Sequence, residues 1–133
     1  MATGAAIYDA LMGRVASLAI GSPALPVAYP EVFFDPKASG GKYLDVSDFP
    51  NRPAWEGLSE GRLDQGFIQI TVVWPKGQGI RAPKAAADAV IAHFPKGLRL
   101  ASGVKISAEP WQAAPLIDAS ECRVPVTVPW VAA

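Results

Sequence analysis

Apolar side chains recur at helical spacing near the start of the chain. Ile7, Leu11, Val15 and Leu18 follow steps of four, four and three, which predicts an amphipathic helix over residues 5–20. Asp9 lies opposite that stripe, Arg14 at its margin, and Gly21-Ser22-Pro23 supplies the stop. Residues 24–42 hold Pro26, Pro30, Pro36, Gly40 and Gly41 around Val32-Phe33-Phe34, which reads as an extended arm with a buried anchor and a flexible loop over 35–42. A short strand is expected over 43–49, stopped by Pro50. The clearest strand covers 67–74, where Ile68, Ile70, Val72 and Trp74 share one face and Gln69 and Thr71 the other. A second helix is expected over 83–94 with Pro83 at its first position; Ala86, Ala87, Val90, Ile91 and Phe94 cluster on one side, and Asp88 and Ala92 face away. Strands over 98–108 and 121–130 follow, separated by a loop over 109–120.

This order, helix-strand-strand-helix-strand-strand, predicts an α+β fold. Its four-stranded, mainly antiparallel sheet carries two helices on one face. Pro125 and Pro129 remove two amide donors from one lateral side of the last strand, which predicts that this strand lies at the sheet edge, with the amides of Val124, Val126 and Val128 pairing inward. The segment 51–66 is a long loop for so small a chain, and such loops are usually functional.

At 133 residues the chain is expected to form a single domain over 1–133. Charge then narrows the function classes. Twelve basic residues balance twelve acidic ones, so no overall basic field is present to hold nucleic acid through its phosphates. Only 18% of residues are charged, and 23 of the apolar residues are alanine. A surface so sparsely charged is expected to be partly covered by partners. One cysteine, Cys122, and one histidine, His93, leave no multi-cysteine or two-histidine site, and no cofactor or metal is expected. Cys122 reads as a small buried hydrophobe, His93 as a packing residue. No apolar run is long enough to span a membrane, and Asp9, with no basic residue before Arg14, argues against a signal peptide.

Several motifs invite chemistry and fail on context. Gly77-x-Gly79-x-x-Ala82 lies between a strand and a helix but lacks the following acidic residue of a dinucleotide fold. Gly41-Lys42 imitates the end of a phosphate loop, but Pro36 and Tyr43 occupy the positions that need Gly and Ser or Thr. The carboxylate pairs Asp45/Asp48 and Glu56/Glu60 have no pocket motif around them. No catalytic residue is assigned. The candidate interface residues are Phe33, Phe34, Trp55, Leu58, Glu60 and Arg62, a mixture of apolar and charged groups that suits contact with another protein better than free solvent. Lys76, Arg81 and Lys84 form a basic run with no acid between residues 75 and 87, a candidate positive rim facing phosphate or an acidic protein surface.

Taken in order, these segments resemble the phage tail terminator-like proteins. The resemblance rests on the N-terminal helix, Ala28-Tyr29-Pro30-Glu31-Val32-Phe33-Phe34, Tyr43-Leu44-Asp45-Val46, and the run Gly66 to Pro75 with Gly77 and Gly79. The helix Ala85 to Phe94 and the ending Cys122 to Trp130 complete it. It implies a virion structural protein without an active site. The implied assembly is a ring, typically a hexamer, that caps the head-proximal end of the tail tube, stops its elongation and joins tail to head. The implied partners are further copies of the chain, the major tail tube protein and a connector or stopper protein. DNA passes in transit only. The chain would be made in the bacterial cytoplasm and end in the virion tail. Two other readings stay open: another head–tail connector or stopper ring, and a small α+β enzyme or ligand-binding domain built around Asp88.

Overall fold

In a computed structural model the described residues are 3–21, 24–52, 54–55 and 62–132, with backbone alone for 38–39, 54–55 and 62. Helix α1, Gly4–Ala16, opens on Thr3, whose Oγ1 accepts the Ala6 N–H at 3.1 Å. Its stripe of Ile7, Leu11 and Val15 is buried as expected, and Leu18 packs at the margin of the core. The helix ends four residues earlier than the pattern implied. The Ser17 hydroxyl donates to the Arg14 carbonyl at 2.6 Å and competes with continued helical bonding.

Strand β1, Val27–Ala28, then runs parallel to β2, Tyr43–Pro50. Between them a short 3₁₀ helix, Pro36–Ser39, occupies the segment read as a flexible loop; the Asp35 carboxylate accepts the Lys37 N–H at 3.0 Å. The arm's anchor is also different. Phe33 is 93% exposed and Val32 60%, and only Phe34 packs inward, its ring 4.8 Å from that of Tyr43.

Strand β3, Ala54–Trp55, pairs antiparallel with the start of β4, Arg62–Pro75. The central strand is therefore five residues longer at its start than the apolar run at 67–74, and part of the expected loop at 51–66 is sheet. Helix α2, Arg81–His93, places Pro83 in its first turn and buries Ala86, Ala87 and Val90, with Phe94 buried just past its end. Strand β5 is confined to Val104–Ile106, because a 3₁₀ turn at Ala101–Gly103 folds residues 98–106 back on themselves. The loop at 109–120 contains two short strands, β6, Trp111–Gln112, and β7, Leu116–Ile117. The last strand, β8, is Glu121–Ala132.

The sheet order is β1-β2-β4-β8-β5, with β6 and β7 also on β8 and β3 on β4. The α+β class holds, but among the described residues the sheet is mixed and holds seven strands rather than four, with β3 added beside it. Nor is β8 an edge strand: β4 pairs along its whole length on one side, and β5, β6 and β7 take turns on the other. The donor-poor side of β8 is the one that Pro125 and Pro129 mark, but it is occupied by short strands rather than left open. Pro125 and Pro129 have no N–H but keep their carbonyls, which accept the amides of Ala113 at 2.8 Å and Ser107 at 3.2 Å. A side with acceptors and few donors supports short, interrupted partners and no continuous ladder.

Both helices cover the same sheet face. Their stripes join Leu44, Val46, Ile68, Ile70, Val72, Val124, Val126 and Val128 in one core. Near the C-terminal ends of the helices, Arg14 Nε donates to the His93 carbonyl at 3.0 Å, and His93 Nε2 lies 3.0 Å from the Arg14 carbonyl and 2.7 Å from Ser17 Oγ. Burial, aided by the Arg14 charge, holds the His93 imidazole below its ordinary value of 6.5. The folded protein thus binds this proton more weakly than the unfolded chain. Stability from this clasp is fully present above pH 6.5 and is lost as pH falls through the lowered folded-state value. Urea midpoints measured across this range should decline toward acid in the native chain, and His93→Gln should flatten the part of the decline just below pH 6.5.

Candidate subunit interface

The sheet face away from the helices is lightly covered. Tyr43, Val73 and Ala28 form a small second core there, with Phe34 laid against it. Beside it Arg123 bridges two acids, NH1 to Asp45 at 3.0 Å and Nε to Glu121 at 2.8 Å. Phe49 and Phe67 stack at 4.9 Å further along. The apolar exposure is concentrated in the arm and the late strands: besides Phe33 and Val32, Leu116 is 61% exposed, Ile117 60% and Trp111 53%. These exposed apolar side chains are the candidates for surfaces that meet other proteins.

The sequence-predicted residues divide between the two ends of β4. Phe34 lies on Tyr43, which pairs with Val73, so the arm sits near the Pro75 end. Trp55 pairs with Arg62 at the opposite end. Leu58 and Glu60 lie outside the described residues, as does the Glu56/Glu60 pair. Lys76, Arg81 and Lys84 are all exposed; Lys76 follows β4 directly, and Arg81 and Lys84 occupy the first turn of α2. That turn has no side-chain cap and no acidic residue, so two cations sit at the positive end of a helix dipole.

Leu116, Ile117 and Trp111 escaped the sequence reading, which placed them in a loop. The available signal was the apolar content of that loop, opposite a proline-bearing strand with carbonyls to spare. Asp45 and Asp48 fall on opposite faces of β2, so they form no acid/base pair. Asp88 is exposed on α2, accepts a hydrogen bond from Gln112 Nε2, and borders a shallow depression with Ile80, Arg81, Lys84 and Ala85. Cys122 is buried, as expected of a small apolar side chain. Among the described residues no group of three or more His, Cys, Asp or Glu is placed to hold a metal, and no helix is long and apolar enough to cross a membrane.

Comparison with known proteins adds identity to this geometry. A solved structure superposes with a TM-score of 0.82 at 27% sequence identity, covering 100% of this chain and 97% of its own. No protein of curated function matches the chain. The family described as phage tail terminator protein matches residues 6–130, from the first turns of α1 almost to the end of β8. The chain therefore belongs to the phage tail terminator protein family and is a structural component of a phage tail.

Proposed function

We propose that the chain, as one domain over residues 1–133, assembles into a closed ring, a hexamer, on the head-proximal end of the tail tube. There it stops tube elongation and provides the surface that joins tail to head. Family membership over residues 6–130 carries this reading. The exposed arm residue Phe33 and the β6–β7 residues Trp111, Leu116 and Ile117 support it, since they need cover that the chain itself does not supply. A compact chain of this length is equivalent to a sphere roughly 36 Å across, and six such spheres in a closed ring leave an opening about one sphere wide, enough for duplex DNA. Balanced charge suits a channel through which DNA slides without being held.

Particles assembled without this protein should carry tails of irregular length that fail to attach to filled heads. Tubes of uniform length, properly joined, would falsify the reading. A terminator is expected on isolated headless tails, a stopper on tailless filled heads, so labelling the two particle types separates these roles.

The exposed apolar residues provide a second test. Phe33→Ser and Leu116→Ser should each change subunit stability by no more than about 0.5 kcal/mol, because neither side chain is buried in the fold. The same substitutions should reduce attachment to tube ends or ring formation. Thermal melts and binding to purified tubes check the two halves independently.

A further inference from the structure

A cavity of about 360 Å³ opens at the start of β4, between the first turns of α1 and the end of β2. Ile7 and Trp130 supply apolar wall, and Tyr8, Asp48 and Asp64 supply polar wall. Two of these groups are unsatisfied by the fold. The Trp130 indole Nε1 is buried with no hydrogen-bond partner, although the residue is only 3% exposed. Asp48 sits on the core-facing side of β2, in register with Ile68, and no described residue forms an ion pair or hydrogen bond with it. Burial holds its carboxyl above the usual aspartate value. The indole Nε1 exposes no surface to an incoming group, so an occupant suited to this site offers a cation to the carboxylate and an apolar group to the walls.

The other end of the same strand presents that combination. Lys76, Arg81 and Lys84 are exposed and form no ion pair among the described residues, although Asp88 borders the same depression as Arg81 and Lys84, and Ile80 beside them is 43% exposed. Gly77 and Gly79, both at positive φ, turn the backbone there without side chains over its carbonyls. Asp48 is level with Ile68, and residue 76 lies roughly 26 Å further along the extended strand, so the loop cannot reach the Asp48 carboxylate of its own chain. It can reach that of a neighbour.

We propose that the cavity lined by Tyr8, Asp48 and Trp130 is the socket for the 76–84 loop of a second copy of this chain. The contact is head-to-tail, and it rests on the ring reading above, which requires a heterologous interface that closes. Asp48 takes a cation from Arg81 or Lys84, and Ile80 enters the apolar part of the cavity against Ile7 and the Trp130 ring. The contact forms between copies in solution, without tube protein. Asp48 has a folding cost in the isolated subunit and is satisfied on assembly, the trade expected of an interface charge.

Sedimentation velocity on the full chain tests this. Native protein should self-associate, more weakly in about 0.5 M salt than in 0.05 M. Asp48→Asn should melt at the same or a higher temperature and associate about tenfold more weakly or less. Arg81→Glu combined with Lys84→Glu should weaken association at least as much, and adding Asp48→Lys to that variant should recover most of the loss. Mixing Asp48→Cys with Lys84→Cys chains should give a disulfide-linked dimer between them. If rings form but the charge variants leave association unchanged and the cysteines do not link, the socket is refuted while the ring reading stands. A chain that stays monomeric in solution also refutes the socket, even if it caps tubes; one that also ignores tube ends removes both. Loss of duplex DNA retention in the Arg81/Lys84 variant, with association intact, would assign the loop to phosphate and overturn the proposal.

Discussion

Phe94→Ala should cost the folded subunit about 3–5 kcal/mol, the usual loss when a fully buried aromatic side chain is truncated. Phe94 is the largest of the fully buried side chains, with no exposed surface. It lies where α2 ends, among the apolar residues that join both helices to the sheet, and the Phe94 N–H closes the last turn on the Ile91 carbonyl at 3.1 Å. A domain of this size has a total stability of about 5–15 kcal/mol, so the variant should forfeit a large fraction of it and unfold at a clearly lower denaturant concentration and temperature. Chemical denaturation at 15 °C and at 37 °C measures this. Phe94→Leu, which keeps most of the volume, should lose less than half as much.

Gly66→Ala is the second substitution with a large expected effect, and its sign runs against the general trend. Within a strand, replacing glycine by alanine ordinarily helps, by about 0.5–1 kcal/mol, because the unfolded chain loses freedom. At Gly66 a Cβ would lie 2.7 Å from the Phe49 carbonyl oxygen, 2.9 Å from Pro50 Cα and 3.0 Å from the Trp130 ring. Two of those atoms are backbone of β2 and cannot turn aside. Trp130 is the cross-strand partner of Gly66, and its ring occupies the space that a side chain at 66 would need. We expect a loss of about 2–3 kcal/mol. Since Trp130 and Pro50 also line the cavity at this end of the sheet, the variant should weaken self-association beyond its effect on the melt. Differential scanning calorimetry and sedimentation on the same preparation separate the two.

Much of the helix-covered core was legible along the chain. Ile7, Leu11 and Val15 at helical spacing, and Ile68, Ile70 and Val72 at alternate positions, are buried where the pattern put them. These signals are local: a stripe or an alternation is set by the backbone period, and any fold that uses the element must bury that side. Gly66 illustrates the opposite case. Beside Asn51, Pro53, Gly57 and Gly61 it looks like the end of a loop, yet it is the position in a central strand where a tryptophan ring passes over the backbone. The short strands β6 and β7 were equally hidden. Two residues carry too little periodicity to announce a strand, and they are ordered by what β8 offers them.

The candidate surfaces show the same division. Phe33 and Phe34 are adjacent and chemically identical, and nothing along the chain says that one lies on Tyr43 while the other stands in solvent. The basic run at Lys76, Arg81 and Lys84 was visible as a charge pattern. That it stands at one end of β4, with a half-buried Asp48 that has no partner among the described residues level with Ile68 further along, was not.

The amino-acid sequence by itself determined which segments are helical, which faces of the long strands are apolar, and which side of β8 lacks donors. It also carried the order of segments by which the family is recognised. Tertiary structure alone decided what fills that donor-poor side, which aromatic residues remain exposed, and which carboxylate faces a cavity without a partner. The physical reason is range: periodicity and proline chemistry act within a few residues, whereas pairing order and burial depend on contacts between residues far apart in the chain.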